Sequence, residues 1–189
     1  MNICFVIPLI VLSVAKLSCA RSTLGKCPEY SAMSDFDLDS FLGKWHMIEQ
    51  YPNPRTKDTV CLVTDYKRQS TNQTGTYLTI GMTYVEQGVN KEGALTGLYL
   101  QGDSKAEFIY VPSLHENPNV FYLDTNYEEY ALQYSCKNTA HGVFESAAIY
   151  SRTETLPRQV IHMLKAQLAQ LGSDIFKFEE PQHIGCPQF

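Results

Sequence analysis

Residues 41–54 read FLGKWHMIEQYPNP and hold Trp45, the single tryptophan in a chain that also has 12 Tyr and 9 Phe. The indole stands two positions after Gly43, at the start of a run that reads as a strand. From here to Arg152, β-rich runs alternate with clusters of turn-forming residues at Pro52–Asp58, Ser70–Gly75, Gln87–Gly93, Gly102–Ser104, Pro112–Asn119, Thr125–Glu129 and Lys137–Gly142. Seven turns separate eight strands. Long strands joined mostly by short turns predict an all-β, antiparallel, up-and-down meander. Closing it into a β-barrel would remove both edges, and eight strands leave an interior wide enough for one small ligand. A two-sheet sandwich satisfies the same pattern, so periodicity alone leaves closure open.

After Arg152 the period changes. Thr155 is the expected N-cap, with Pro157 in the first turn. Val160, Ile161, Leu164, Leu168 and Leu171 then recur at helical spacing, with Arg158, His162, Lys165 and Gln167 elsewhere around the helix, and Gly172 stops it. One C-terminal amphipathic helix is expected to pack on the outside of the sheet.

At 189 residues and 44% hydrophobic, the chain has the length and composition of one globular domain. Its first residues, MNICFVIPLIVLSVA, form an apolar run too short to span a bilayer, followed by the small-x-small pattern Ser18-Cys19-Ala20. Residues 1–20 therefore read as a signal peptide and residues 21–189 as the mature domain, which predicts a secreted, extracellular protein. Removing the leader takes away Lys16, Cys4 and Cys19, so the formal charge of −5 becomes −6 and six cysteines become four. Cys27, Cys61, Cys136 and Cys186 lack the C-x-x-C spacing of zinc sites, and an exported chain meets an oxidising compartment, so two disulfides are expected. Four cysteines allow three pairings.

A mildly acidic chain without a Lys/Arg block offers no footprint for nucleic acid or an anionic membrane. The final residues, EEPQHIGCPQF, have no hydrophobic tail for a lipid anchor, so no stable membrane insertion is expected. Asn72-Gln73-Thr74 is the one glycosylation sequon and falls in an expected turn. The histidines (His46, His115, His141, His162 and His183) show no metal-ligand spacing, and no nucleophile elbow, H-E-x-x-H or phosphate loop is present. Neither a metal site nor a catalytic one is expected.

Three blocks, in order, resemble the lipocalins, in particular the branch of apolipoprotein D and the insect bilin-binding proteins. GKCPEY leading into FDLDSFLGKWHMIEQYPNP is similar to that branch's G-x-W block with its short preceding helical turn. LDTNYEEYALQYSC resembles its T-D-Y-x-x-Y-A block, and IYSRT its last-strand arginine block. Two positions depart from the pattern: His46 replaces the aromatic after the Trp, and Asn126 replaces the Asp after Thr125.

The resemblance implies a calyx whose closed end is sealed by Trp45, with Arg152 stacked across the indole and Gly43 beside them, by cation–π attraction of about 1–2 kcal/mol when partly desolvated. It also implies the pairing Cys27–Cys136 and Cys61–Cys186, each worth on the order of 4–5 kcal/mol in the chain-entropy model.

Strand parity can be argued without the family. A disulfide to a terminal segment leaves from the outside of a barrel, so Cys61 and Cys136 point outward. Leu62, Thr64, Tyr66, Ala131, Gln133 and Ser135 then point inward. Parity with Arg152 turns Phe144, Ser146, Ala148 and Tyr150 inward, and parity with Trp45 does the same for Met47, Glu49 and Tyr51. An inward Glu49 would need a hydrogen bond, a partner or a ligand's polar group. The long first connection, with Asn53, Pro54, Arg55, Thr56 and Lys57, would border the open mouth, where Arg55 or Lys57 could pair with a ligand carboxylate.

The expected activity is carriage of a small hydrophobic molecule without a required cofactor. One candidate cargo is a fatty acid, sterol or similar lipid. The other is biliverdin or a related bilin, whose propionates the mouth residues suit. A third reading, of another class, is a protein-binding or protease-inhibiting barrel acting through its loops. A cell-surface receptor or a second copy of the chain stays open as a partner.

Overall fold

Asp37 begins the approach to the barrel. Its carboxylate accepts hydrogen bonds from the backbone N–H groups of Asp39 and Ser40 and, at 2.6 Å, from the Ser40 hydroxyl. The Ser40 bonds hold its carboxyl below the usual carboxylate range. The one-turn helix α1 (Leu38–Phe41) follows and carries Phe41, fully buried, to the barrel's end. The structure, a computed structural model, describes residues 25–52, 56, 58–100, 106–111, 119–181 and 186–187. The expected signal peptide, Asn53, Pro54, Arg55, Lys57, His115 and His183 lie outside the described residues.

Eight strands follow: β1 (Gly43–Gln50), β2 (Thr59–Thr71), β3 (Gly75–Glu86), β4 (Val89–Leu100), β5 (Glu107–Val111), β6 (Val120–Thr125), β7 (Tyr130–Thr139) and β8 (Gly142–Ser151). Each pairs antiparallel with the next and β8 pairs with β1, so the meander closes and the sandwich alternative falls. The β3–β4 connection is tighter than expected. Gln87 and Gly88, at φ of 50° and 77°, make a two-residue turn with both residues left-handed, the twist that hairpins favour. Val89–Gly93, assigned from sequence to that turn, belongs instead to β4.

Helix α2 (Arg158–Gln170) packs outside the barrel through Leu164 and Leu168, both fully buried. Its N-cap is Pro157, without a side-chain bond, rather than Thr155. The Thr155 carbonyl instead accepts from Ser151 and Thr153 hydroxyls, which fixes the turn between β8 and the helix. At the far end Ser173 N–H bonds to the Leu168 carbonyl and Gly172 N–H to that of Ala169, a Schellman stop at the expected glycine.

Two apolar layers result. One fills the barrel: Phe36, Phe41, Trp45, Met47, Leu62, Tyr66, Leu78, Ile80, Phe108, Tyr122 and Tyr150 are among its members. The other lies between the outer face of β1, β7 and β8 and helix α2: Ile48, Tyr51, Leu132, Tyr134, Ile149, Leu164 and Leu168. Alternation along each strand divides the two layers, and Cys136 belongs to the outer one, as its parity required.

Both disulfides form as the resemblance implied, Cys27–Cys136 across 109 residues and Cys61–Cys186 across 125. They tie the N-terminal segment to β7 and the C-terminal segment to β2. Replacing both Cys61 and Cys186 by Ser should lower the unfolding free energy by about 2–5 kcal/mol while preserving the strand circular dichroism, as read by denaturant titration. An unchanged midpoint would mean that the C-terminal tie adds nothing to the barrel.

Candidate functional site

The closed end of the barrel is built around Trp45, which is 1% exposed. Its Nε1–H donates to the Phe41 carbonyl at 2.9 Å, and the Phe41 ring stacks on it at 5.1 Å. On the other side the Arg152 guanidinium carbon lies 3.7 Å from the ring centroid. Cation–π attraction accounts for part of this contact, and hydrogen bonding supplies the rest. Arg152 donates to the carbonyls of Tyr127 (2.8 Å), Lys44 (2.9 Å), Ser40 (2.9 Å) and Phe41 (3.2 Å). One side chain thereby joins α1, the start of β1, the β6–β7 turn and the end of β8. Gly43 beside them adopts a left-handed φ of +97°, a backbone conformation that glycine takes without strain.

The β6–β7 turn absorbs the departure at Asn126. Its Oδ1 accepts from the N–H groups of Glu129 (2.9 Å) and Tyr130 (3.0 Å), a role that needs a side-chain carbonyl oxygen and no charge. His46, the other departure, is partly buried on β1 and pairs with Ser151.

Above the floor the inward positions mix apolar and hydroxyl groups. Met47, Leu62, Tyr66, Ala131, Ala148 and Tyr150 line the interior as expected from parity. Thr64 is buried and donates to the Trp45 carbonyl at 3.3 Å, and Ser135 donates to the Asn119 carbonyl at 2.8 Å, so both hydroxyls brace the wall. Gln133 and Ser146 are partly buried on inward rungs. Phe144 shares that register, but it stands near the start of β8, beyond the enclosed part of the barrel, and is 49% exposed. It is a rim residue rather than a wall residue.

Glu49 and Tyr51 do not face the calyx. A bulge between Met47 and Glu49 leaves Ile48 unpaired against β8, so Glu49 falls opposite the outward Ile149 and every later residue of β1 changes face. Glu49 is buried beneath α2 in an ion pair with Lys165, and Tyr51 packs edge-on against Phe178 at 4.7 Å. The ligand contact expected of Glu49 is replaced by a helix-docking contact.

The inward faces of β3 to β6 add residues that parity did not reach, because those strands carry no cysteine, tryptophan or terminal arginine to anchor it. Leu78, Ile80 and Met82 alternate on β3, Phe108 and Tyr110 on β5, and Val120 and Tyr122 on β6. Gly97 on β4 leaves space for the Ile80 side chain, whose Cδ1 lies 2.7 Å from where a Cβ would stand. Phe41, Tyr66, Phe108 and Tyr122 form an aromatic bed over Trp45, with Phe41 and Tyr122 centroids 4.5 Å apart.

Phenols are concentrated in this interior. Burial, reinforced by neighbouring phenols, holds Tyr66, Tyr122 and Tyr150 above the usual 10. Among the described residues no cluster of His, Cys, Asp and Glu could hold a metal, and no helix is long and apolar enough to cross a membrane. Asn72 is exposed in the β2–β3 turn, where its Oδ1 accepts from Thr74 and Gly75 N–H groups.

With a closed eight-stranded barrel, a plugged end and an apolar interior in place, likeness to known proteins adds the family. The chain belongs to the lipocalin / cytosolic fatty-acid binding protein family, which matches residues 42–180. Mouse apolipoprotein D is 30% identical over 170 residues, covering 88% of this chain and 87% of that protein. Insecticyanin-A of Manduca sexta is 29% identical over 119 residues, covering 59% and 60%. The crystal structure of Manduca sexta insecticyanin superposes with a TM-score of 0.70 at 19% identity, covering 86% of this chain and 88% of that one, a likeness of fold.

The buried phenols set an alkaline limit on the fold. Because they hold their protons more tightly folded than unfolded, their contribution is complete below about pH 10 and is lost as pH rises above it. Alkaline titration followed by tyrosinate absorbance should therefore show a subset of phenols ionising only with cooperative unfolding. Smooth ionisation of every tyrosine near pH 10 with the fold intact would contradict the buried arrangement.

Proposed function

We propose that residues 21–189 form a secreted, extracellular carrier that holds a small hydrophobic molecule, a fatty acid, sterol or similar lipid, inside the barrel. The observation that carries this reading is the combination of a floor sealed by Trp45 and Arg152 with an interior wall free of buried charge: among the described residues the buried charged side chain is Glu49, and it faces α2. Apolar surface leaving water supplies the binding free energy, about 25 cal/mol per Å² buried, and a few hydroxyls and amides set orientation. The work of such a site is binding, without catalysis or a required cofactor. Two disulfides that tie down both terminal segments suit an oxidising compartment, and the sequon at Asn72 is proposed to carry a glycan there.

A bilin is the second cargo reading. It draws on the 29% identity to insecticyanin-A and on Asn53, Arg55 and Lys57, which the sequence offers as donors to propionates. A protein partner engaged through the loops is the reading that remains if the barrel retains no small molecule.

A visible spectrum of the protein from its native source, followed by mass spectrometry of an organic extract, separates the three. The proposal expects a colourless protein that yields a lipid. A visible band with a tetrapyrrole mass would replace the lipid by a bilin. An extract with no hydrophobic molecule, together with no uptake of added lipid, would contradict carriage itself.

A further inference from the structure

Gln87 and Tyr127 carry a positive φ in connections between strands, but Cys61 carries one inside a strand, at φ of 56° on β2. The register of β2 against β3 slips there, between the rungs Val60–Val85 and Val63–Thr83, so β2 accommodates one extra residue in a bulge. Left-handed backbone in a bulge is the ordinary place of glycine, and a side chain there is strained. The pairing of β2 with β1 ends at His46–Val63, so Cys61 lies past the last rung on that side. In place of a glycine, the position holds one end of the bond Cys61–Cys186.

The two disulfides join cysteines 109 and 125 positions apart, so chain entropy stabilises them almost equally. The difference lies in the native backbone. Cys136 sits in the regular ladder of β7 and β8, opposite Glu145, and neither it nor Cys27 has a positive φ. A bond that holds its residue in the left-handed region gives back that strain when it opens, which favours the open form about 5-fold or more. Cys61 is buried and Cys186 half-buried, so an incoming thiolate meets the Cys186 sulfur.

We propose that Cys61–Cys186 is a redox-sensitive clasp, opened by a dithiol while Cys27–Cys136 and the barrel stay intact. One thiolate of the dithiol attacks Cys186 Sγ, and Cys61 leaves as a thiolate that takes up a proton. The second thiol of the dithiol then displaces Cys186, so the dithiol ends as a cyclic disulfide and the protein gains two electrons and two protons. Opening releases the C-terminal end of the chain from β2 and lets residue 61 leave the left-handed region. The floor at Trp45 and Arg152 has no part in the change.

The test equilibrates the protein comprising residues 21–189 in graded mixtures of reduced and oxidised dithiothreitol at pH 8, traps free thiols with iodoacetamide and maps them by peptide mass spectrometry. Cys61 and Cys186 should be alkylated together at a reduced-to-oxidised ratio at least about 5-fold lower than Cys27 and Cys136, with Trp45 emission unchanged between the two steps. Cys27–Cys136 opening first, both pairs opening at one ratio, or an unfolded Trp45 spectrum after the first step would overturn the inference. A second measurement asks what holds residue 61 in the left-handed region. With Cys186→Ser removing the clasp, Cys61→Ala should be at least as stable as Cys61→Gly in denaturant titration, because the released residue returns to extended backbone. A folding equilibrium constant about 5-fold or more higher for Cys61→Gly would show that the strand ladder imposes the strain whether or not the bond is made, and would overturn the clasp.

Discussion

A guanidinium against an indole holds the closed end of this barrel together. Arg152 follows the last strand and Trp45 lies on the first, so their contact crosses the seam where an eight-stranded meander becomes a closed surface. The four carbonyls that Arg152 also engages belong to α1, β1 and the β6–β7 turn, so all of these segments converge on one cation. Lysine has one point charge on a flexible stem and could not span that set. With the end sealed, the rings of Phe41, Tyr66, Phe108 and Tyr122 stack above the plug away from water.

The wall obeys a second constraint, the alternation of faces along each strand. One extra residue in β1, Ile48, sends Glu49 and Tyr51 to the outer face, where the carboxylate meets Lys165 and helps seat α2. Among the described residues, the barrel interior thereby carries no buried charge. The same bulge thus serves two layers: it helps dock the helix and keeps the Glu49 carboxylate out of the calyx.

Much of this was legible in the sequence. The G-x-W block, the turn clusters, the helical period after Arg152 and the cysteine parity gave the barrel, its floor, its helix and half of its lining. The features that the sequence leaves unmarked have identifiable causes. Nothing in Met47-Ile48-Glu49 marks a bulge, so simple alternation carried Glu49 and Tyr51 to the wrong face. Strands β3 to β6 carry no anchor for parity, so Tyr110 and Tyr122 are reached only when the alternation of Leu78, Ile80 and Met82 is passed across the observed pairings. The span given to the β3–β4 turn was too long because Asn90 and Gly93, turn-formers by composition, are held in β4 by its pairing with β3.

The central claim, that Trp45 and Arg152 seal the floor, can be read directly because the chain has one tryptophan. Acrylamide quenching of Trp45 emission measures how far a small neutral solute reaches the indole. The account predicts near-complete protection in the native protein and a marked rise in quenching in Arg152→Ala with the barrel still folded. Native quenching close to that of free tryptophan would contradict it, since a floor open to acrylamide would not keep water from the calyx.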